Sequence, residues 1–333
     1  MTHPSAATRK IRWGVLGFAR IAREHVMPAI QRADNAVLSA VATRDGSKLS
    51  EVRARFPGVR VVIGYDDLLQ DPEIDAVYVP LPNSLHRDWT IRAASQGKHV
   101  LCEKPIASTA DEAADMVAAC RKQGVKLMEA FMYRYTHRTR LVLEVLKSGA
   151  LGEIKFVQSS FRFLLSRPES IKLRPELGGG SLYDVGCYPI NFIGMVADVA
   201  AGAQPGGAKP DSFSAECLRQ GGVDTIFSAV LRFPSGMLAS ANCGFNAHQR
   251  VFSEIVGTKG VLEIPDTFHN EPGVLTLTTG TARKEIPVPE SDRYAAEIQD
   301  FSAAILENRD PKFPLAETLR NAEVIDRLLA AAG

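Results

Sequence analysis

The sequence has little excess charge and few cysteines, and both shortages exclude classes of protein. Lysine and arginine number 39 against 38 acidic residues, which gives a net charge of +1. This balance offers no electrostatic basis for binding nucleic acid or an anionic membrane. The five cysteines lack the spacing of metal ligands, so we expect reduced, mostly buried thiols and no metal site. They are Cys102, Cys120, Cys187, Cys217 and Cys243.

Long apolar segments are also missing. No run is long enough to cross a bilayer, and Met1 to Lys10 has no apolar core of signal-peptide length. We therefore expect a cytoplasmic protein without a membrane partner. Its 333 residues, 45% of them hydrophobic, suit a soluble globular chain of two domains.

The first 130 residues alternate between short apolar runs and helical patterns. Strands are predicted at 11–16, 38–42, 60–63, 74–79, 100–102 and 125–128, with helices or helical turns between them. Such alternation indicates an α/β Rossmann domain at residues 9–130, built on a doubly wound parallel sheet. Ser84, and Thr109 or Ser108, are the predicted N-caps of two of its helices.

The first strand leads into Gly17-Phe18-Ala19-Arg20-Ile21-Ala22, an imperfect dinucleotide fingerprint. Alanine stands where two glycines normally let the backbone approach a pyrophosphate and the helix pack on the strand. The helix N-terminus still attracts phosphate. A plain strand-to-helix turn is the alternative on these residues alone.

The end of the second strand bears on the choice of cofactor. Enzymes that prefer NAD usually place an acid there for the ribose 2′-hydroxyl. This chain has Thr43, followed by Arg44 and Lys48, which suit a 2′-phosphate better. Asp45 argues the other way, and the cations could simply begin a solvated helix. We expect NADP(H) to be preferred, with NAD(H) possible.

Three later strand ends carry polar residues. Pro82-Asn83, Glu103-Lys104 and Glu129-Ala130 follow the fourth, fifth and sixth strands. Because ligands bind at the carboxyl edge of a parallel sheet, we expect all three to line one crevice. A lone Glu-Lys-Pro, as at Glu103 to Pro105, is more often a solvated turn.

The second half of the chain has a different pattern. Strands are predicted at 154–163, 213–218, 225–233, 237–244, 251–257, 261–264 and 274–279, followed by helices at 294–308 and 315–332. Consecutive strands indicate an α+β domain, residues 131–333, with a large, mostly antiparallel open sheet. Between its first two strands, Ser181 is a predicted helix cap, and Asp184 and Tyr188 share a helical face. A flexible loop before a core helix is the alternative.

Taken together, these motifs resemble the Gfo/Idh/MocA oxidoreductase family from Ile11 to about Leu329. The motifs are Trp13-Gly14-Val15-Leu16-Gly17, Pro82-Asn83 with His86, Gly97 to Val100 with Glu103-Lys104-Pro105, the Gly-rich Asp184 to Tyr188 segment, and the helix with Tyr294 and Glu297 to Phe301. Met128 to Tyr135 and Tyr188 to Asn191 are most similar to the branch of glucose-fructose oxidoreductase, dihydrodiol dehydrogenase and xylose dehydrogenase.

The resemblance implies a pyridine-nucleotide enzyme that acts on a sugar or a sugar-derived alcohol or ketone. In it Lys104 matches the catalytic-site lysine, and Asp184 and Tyr188 match the acid and the proton-transfer residue. The resemblance also implies a homodimer or homotetramer assembled through the open sheet. Aldose dehydrogenase and keto-sugar reductase, including reductase of nucleotide-linked 3-keto-hexoses, both stay open. A catalytically silent NADP-sensing regulator is the rival, although it need not keep these three residues.

The chemistry explains why a lysine would stand beside a tyrosine. A tyrosine hydroxyl has an ordinary pKa of about 10, too high for an efficient base near neutrality. A neighbouring ammonium favours the phenolate, so we expect Lys104 to lower the pKa of Tyr188. Asp184 would anchor sugar hydroxyls or orient the lysine. Further pocket residues are expected on the loops 164–177 and 245–250.

The predicted site has three overlapping groups of residues. The catalytic residues are Lys104, Tyr188 and Asp184. The cofactor-binding residues are Gly17, Phe18, Ala19, Arg20, Ile21, Thr43, Arg44, Lys48, Pro80, Leu81, Asn83, His86, Glu103 and Lys104. The substrate-binding residues are Lys104, Arg134, Tyr133, Asp184 and Tyr188.

Overall fold

The structure is a computed structural model that describes residues 9–333, so the expectation about a signal peptide falls mostly outside the described residues. The first domain holds a six-stranded sheet in the order β3-β2-β1-β4-β5-β6, in which every pairing is parallel. The predicted doubly wound sheet is thereby confirmed. Its strands are β1 Ile11–Leu16, β2 Ala36–Thr43, β3 Arg60–Ile63, β4 Ala76–Val79, β5 His99–Glu103 and β6 Leu127–Ala130.

The parallel sheet is buried on both faces. Along β4, Ala76 and Tyr78 belong to one apolar cluster, and Val77 and Val79 belong to another. This alternation follows from the period of two in a strand and is typical of a sheet covered by helices on both sides. The helices of this half are α1 Met27–Arg32, which a π-helical turn Ala22–Val26 precedes, α2 Leu49–Arg55, α3 Tyr65–Leu69, α4 His86–Ser95 and α5 Ala110–Lys122.

The second sheet has eight strands in the order β14-β13-β12-β11-β7-β10-β9-β8. Its pairings are antiparallel except for β7 with β10, which confirms the predicted mostly antiparallel sheet. The strands are β7 Ile154–Leu164, β8 Ser212–Gln220, β9 Val223–Arg232, β10 Leu238–Gly244, β11 Asn246–Gly257, β12 Gly260–Pro265, β13 Gly273–Thr279 and β14 Ala282–Val288. The sequence had not indicated β14.

Four helices belong to the second half of the chain, and the first of them was not predicted. They are α6 His137–Lys147, α7 Cys187–Ala201, α8 Arg293–Leu306 and α9 Leu315–Ala331. The last two pack back on the first domain. The indole Nε1 of Trp13 on β1 donates to Ser302 Oγ on α8 at 3.1 Å, and Asp326 on α9 accepts from the backbone of Ala110 at 2.7 Å.

Two of the predicted helix caps are wrong. Ser84 lies inside a 3₁₀ turn, Asn83–Leu85, and α4 begins at His86 without a side-chain cap. The hydroxyl of Ser181 donates to the buried Asp224 instead of capping its own helix. Thr109 is confirmed as the cap of α5, because its side chain accepts from the backbone N–H of Glu112. All five cysteines are unpaired, and four of them are buried.

Within residues 9–333, no helix has the length and apolar character that a membrane crossing requires. Over the same range, no group of three or more histidine, cysteine or acidic side chains is arranged to hold a metal ion.

Candidate active site

Lys104 follows the carboxyl end of β5, where the Glu103 carboxylate secures the backbone. That carboxylate accepts from the Tyr78 hydroxyl at 2.5 Å and from the backbone N–H of Lys104 at 3.2 Å. Both partners are internal, so Glu103, a predicted cofactor residue, braces the strand end. Burial raises its pKa, against the opposing charge of Lys104.

The structure brings Lys104, Asp184 and Tyr188 together, and we call these three residues the Lys104 cluster. The ammonium of Lys104 donates to the backbone carbonyl of Asp184 at 2.6 Å and lies 3.4 Å from its carboxylate. It also sits over the Tyr188 ring, 5.1 Å from the ring centre. Burial alone would lower the pKa of Lys104, but the negative charge of the groups beside it, the Asp184 carboxylate included, outweighs burial and raises it. The lysine therefore stays an ammonium.

A second lysine, which the sequence had not indicated, binds the same acid. Lys172 Nζ donates to Asp184 Oδ2 at 2.6 Å, a shorter contact than the one from Lys104 to Oδ1. Burial would raise the pKa of Asp184, yet the charges of Lys104 and Lys172 hold it below its ordinary value. Asp184 is therefore a carboxylate at neutral pH.

Tyr188 is more deeply buried than we expected, and its pKa is raised overall although Lys104 acts in the expected direction. The residue is 4% exposed, its ring packs against Phe131 and Phe161, and its hydroxyl donates to Met132 Sδ at 3.5 Å. Burial raises its pKa well above the ordinary value, and the charge of Lys104 offsets only part of that rise. The hydroxyl consequently keeps its proton near neutrality.

A glycine run and one buried acid fix the start of the helix that carries Asp184 and Tyr188. Asp224 on β9 accepts from Ser181 Oγ at 2.6 Å and from the backbone N–H of Leu182 at 2.8 Å. Gly180 has a φ of +128°, and a Cβ there would lie 2.4 Å from Asp224 Oδ1. Only glycine lets the chain pass this close to the acid.

The dinucleotide turn keeps the required shape despite its two alanines. Gly17 has a φ of +109°, and its N–H donates to the Ala42 carbonyl at 2.8 Å. Phe18 is buried, and Ala19 begins the helix, since its carbonyl accepts from Arg23 N–H at 3.0 Å. The exposed side chain of Arg20 pairs with Glu24. Backbone rather than side chains would therefore hold a pyrophosphate here.

At the carboxyl end of β2, some polar side chains already form hydrogen bonds within the turn, whereas Arg44 does not. Thr43 is buried, and its hydroxyl accepts from the Asp45 N–H at 3.1 Å. The Asp45 carboxylate in turn accepts from Ser47 N–H at 3.0 Å and from its hydroxyl at 2.6 Å. Lys48 lies 3.9 Å from Asp45. Arg44 is exposed over the Tyr65 ring and forms no ion pair within residues 9–333.

His86 does not face the crevice, which corrects its prediction as a cofactor residue. The imidazole is fully buried, with Nδ1 2.9 Å from the Pro105 carbonyl and Nε2 2.8 Å from the Leu81 carbonyl. Both nitrogens are thus used to join the end of β4 to the Lys104 turn. Asn83 bridges the domains, because its amide donates to the Gly178 carbonyl at 2.8 Å. Pro80 and Leu81, the other predicted residues of this edge, are buried beneath it.

Tyr133 and Arg134 are likewise tied into the interior. The Tyr133 hydroxyl donates to Asn191 Oδ1 at 2.6 Å, and the ring is fully buried. The Arg134 guanidinium pairs with Glu317 of α9 at 2.5 and 3.1 Å. The Tyr133 ring packs against Tyr188 of the Lys104 cluster, with ring centres 5.9 Å apart. The hydroxyl of Tyr133 and the guanidinium of Arg134 are both engaged by internal partners, and their role as substrate ligands stays a prediction.

Tyr294 lies at the start of α8, and the sequence pattern predicts no role for it in the site. Its ring stacks on His25 with centres 5.0 Å apart. Burial raises its pKa to about 12, and the charges of Glu103 and Lys104 also act on it. The phenol therefore lies within electrostatic range of the Lys104 cluster, on the side where the two domains meet.

A parallel sheet whose carboxyl edge meets a lysine, acid and tyrosine cluster from two domains defines a nicotinamide-nucleotide oxidoreductase. The chain belongs to the GFO/IDH/MocA oxidoreductase family. The NAD-binding Rossmann domain of that family matches residues 11–131, and its C-terminal domain matches residues 139–263.

Three relatives illustrate the likeness. D-xylose 1-dehydrogenase (NADP(+)) 2 of Haloferax volcanii is 35% identical, over 96% of this chain and 97% of its own. KijD10, a 3-ketoreductase from Actinomadura kijaniata in complex with NADP and TDP-benzene, is 30% identical, over 97% of this chain and 98% of its own, with a TM-score of 0.89. Aldose-aldose oxidoreductase from Caulobacter crescentus, complexed with glycerol, is 29% identical over the same shares, with a TM-score of 0.87.

KijD10 has also been crystallised as variants at two positions. In one variant a tyrosine is replaced by phenylalanine, and in others a lysine is replaced by alanine or glutamate.

Proposed function

We propose that this protein is an NADP(H)-dependent oxidoreductase acting on a secondary alcohol or ketone of a sugar or sugar derivative. The observation that carries the proposal is the Lys104 cluster, assembled from both domains at the carboxyl edge of the sheet. The lysine and tyrosine replaced in the KijD10 variants are separated, along that sequence, by the same number of residues as Lys104 and Tyr188 in this chain. The named relatives, a xylose dehydrogenase and a sugar 3-ketoreductase, support the same chemistry.

Lys104 and Tyr188 have separate roles in the proposed reaction. The nicotinamide, when bound, exchanges hydride with the substrate carbon. Lys104 donates a hydrogen bond to the reacting oxygen, because an ammonium has three donors and Asp184 engages at most two. Tyr188, protonated at neutral pH, gives its proton to that oxygen in reduction. The charge of Lys104 stabilises part of the phenolate that reduction leaves, and in oxidation that phenolate takes the proton back from the alcohol.

The cofactor preference is supported by the groups that surround Arg44. NAD-selective enzymes place a free carboxylate near the ribose 2′-hydroxyl, but the Asp45 carboxylate is bound to Ser47. Arg44 is exposed and without an acidic partner in the part of the chain that the structure describes. A guanidinium binds a phosphate through paired donors, so a 2′-phosphate fits this end of the crevice better than a diol.

A cofactor sensor without turnover is the second candidate. The deep burial of Tyr188, with its hydroxyl on a methionine sulfur, favours it.

We further propose that the protein works in a reducing compartment such as the cytoplasm, as its unpaired and mostly buried cysteines support.

The test is a substrate panel of pentoses, hexoses, keto-sugars and nucleotide sugars, assayed by NADPH and NADH absorbance. We expect turnover of at least one sugar class, with NADP(H) favoured. Tight cofactor binding without turnover of any member would support the sensor and refute the enzyme.

A further inference from the structure

Lys172 lies outside every motif that identifies the family, yet it makes the shorter of the two lysine contacts with the Asp184 carboxylate. It stands in the 3₁₀ turn Ile171–Leu173, on the loop between β7 and the glycine run. The side chain is 33% exposed, so it reaches the Lys104 cluster from the solvent side. Its ammonium also lies 5.0 Å from the centre of the Phe163 ring.

The loop that carries Lys172 is held firmly enough to place the ammonium. The Lys172 carbonyl accepts from the backbone N–H of Gly180 at 2.9 Å, which ties the turn to the glycine run. Two residues earlier in that run, the Gly178 carbonyl accepts from Asn83 of the first domain at 2.8 Å. These two hydrogen bonds therefore fix the turn that carries Lys172 relative to both domains.

The division of contacts gives the two lysines different roles. Lys104 makes its short bond with the backbone carbonyl of Asp184, at 2.6 Å, and only a 3.4 Å contact with the carboxylate. The carboxylate itself is oriented by Lys172 through Oδ2, at 2.6 Å. Oδ1 then faces the Lys104 ammonium, where the reacting oxygen of a substrate would bind. A hydroxyl on the next carbon of the substrate would meet Oδ1.

We propose that Lys172 is a specificity-determining residue, which orients Asp184 to select substrates with a hydroxyl adjacent to the reacting carbon. The proposal rests on the proposed function. It restricts the substrate class to vicinal diols and α-hydroxy ketones, because a lone alcohol would leave Asp184 Oδ1 with only the long 3.4 Å contact from Lys104. A substrate hydroxyl would add a short charged hydrogen bond to this buried oxygen, and that bond is the basis of discrimination.

The charges around Asp184 decide how it titrates. The groups that face it are Lys104 and Glu103 from the end of β5, Lys172 from the loop, and the Cys187 and Cys243 thiols, whose pKa values burial raises. Replacing Lys172 by methionine removes one of the two nearby cations and keeps the length of the side chain. Burial should then raise the pKa of Asp184.

The experiment compares Lys172→Met with Arg174→Met, a control on the same loop whose exposed side chain, within residues 9–333, pairs only with Glu176. For a sugar and its analogue deoxygenated next to the reacting carbon, we expect Lys172→Met to reduce the ratio of the two kcat/KM values about tenfold, the loss of one charged hydrogen bond. The control should keep the ratio, and Lys172→Arg should restore most of it. Equal losses for both sugars would overturn the proposal.

A second measurement does not depend on turnover. Carbon-detected NMR titration of the Asp184 carboxyl, without substrate, should show a higher pKa in Lys172→Met than in the wild-type protein and no change in Arg174→Met. An unchanged Asp184 pKa in the folded Lys172 variant would refute the orienting contact. If no sugar is turned over by the wild-type enzyme, the proposed function fails, whereas this titration still tests Lys172.

Discussion

At the scale of single residues, burial and charge act in opposite directions on Tyr188. Lys104 lies 5.1 Å from the ring centre and favours the phenolate, but burial favours the neutral phenol more strongly. The hydroxyl therefore enters the reaction as a donor. Asp184 is the reverse case, because two lysines outweigh its burial and keep it charged. The same crevice thus holds one proton on the tyrosine and none on the acid.

We expect Tyr188→Phe to lower kcat by about 10²–10⁴, the usual effect of losing a general acid or base. NADPH affinity should not change, because the ring and its aromatic contacts survive. Stopped-flow kinetics and cofactor titration measure the two quantities. Tyr135→Phe is a matched control, since its hydroxyl bonds Asp300 instead of facing the cluster. Near wild-type turnover in Tyr188→Phe would give the proton to Lys104 or to water.

Arg44 is the residue whose removal should separate the two cofactors. We expect Arg44→Ala to weaken NADPH binding by about 1.5–3 kcal/mol, the range for a hydrogen bond to a charged group, and to leave NADH almost unchanged. Isothermal titration with both cofactors measures the difference. Arg53→Ala, an exposed arginine on α2, is the control. Equal losses for the two cofactors would show that Arg44 does not bind the 2′-phosphate.

At the scale of secondary-structure elements, the turn from Lys104 to Ile106 that follows β5 is held by the neighbouring strand β6. Glu129 at the end of β6 is buried, and its Oε1 accepts from the backbone N–H of Ile106 at 2.9 Å. Burial raises the pKa of Glu129 to about 8, while the hydrogen bond from Ile106 and the charge of Lys104 oppose the rise. Oε2 has no partner within residues 9–333, beside a small cavity that α9 closes.

This raised pKa should make stability depend on pH. Between the ordinary value of 4.5 and about 8 the folded state holds a proton on Glu129 that the unfolded state releases, so stability falls as pH rises through this window. Glu129→Gln cannot ionise, and its thermal midpoint should fall less between pH 5 and 8 than that of the wild type. Glu144→Gln, exposed on α6, should behave as the wild type does. Parallel pH curves for Glu129→Gln and the wild type would contradict the assignment.

Prediction from sequence succeeded where a pattern repeats and failed where a single contact decides. The six parallel strands alternate with helices, so their order was recoverable. The edge strand β14 is mostly charged or exposed and contains Pro287, so it carries no apolar alternation. Helix α6 was also missed, although the sequence contains its signals, namely Thr136 as a cap and apolar residues at helical spacing. The partners of His86 and the contact of Lys172 depend on tertiary packing that no local pattern encodes.

At the scale of the whole molecule, the outer face of the eight-stranded sheet is incompletely covered. Large apolar side chains lie exposed on its strands, among them Leu218, Val230, Leu238 and Val274. Apolar groups collected on one sheet face are typical of an interaction surface. The expectation of a homodimer or homotetramer therefore stands as a proposal.

We expect sedimentation equilibrium at micromolar concentration to give at least twice the chain mass of 36.2 kDa. The double variant Val230→Glu and Leu238→Glu places two charges on this face and should shift the equilibrium toward the monomer. Leu306→Glu, an exposed apolar residue at the end of α8, should leave the assembly intact. A wild-type protein that sediments only as a monomer would refute the proposal.

The contact between Trp13 and Ser302 has a consequence for synthesis of the chain. Trp13 leaves the ribosome well before α8, because Ser302 lies 289 residues further along the chain. Nascent domains usually fold in order from the N-terminus. The α1 residues share the apolar cluster of β1, so only the part of β1 that α8 covers stays exposed until α8 is made. A protein shortened at its C-terminus would lose the cover of its cofactor domain as well.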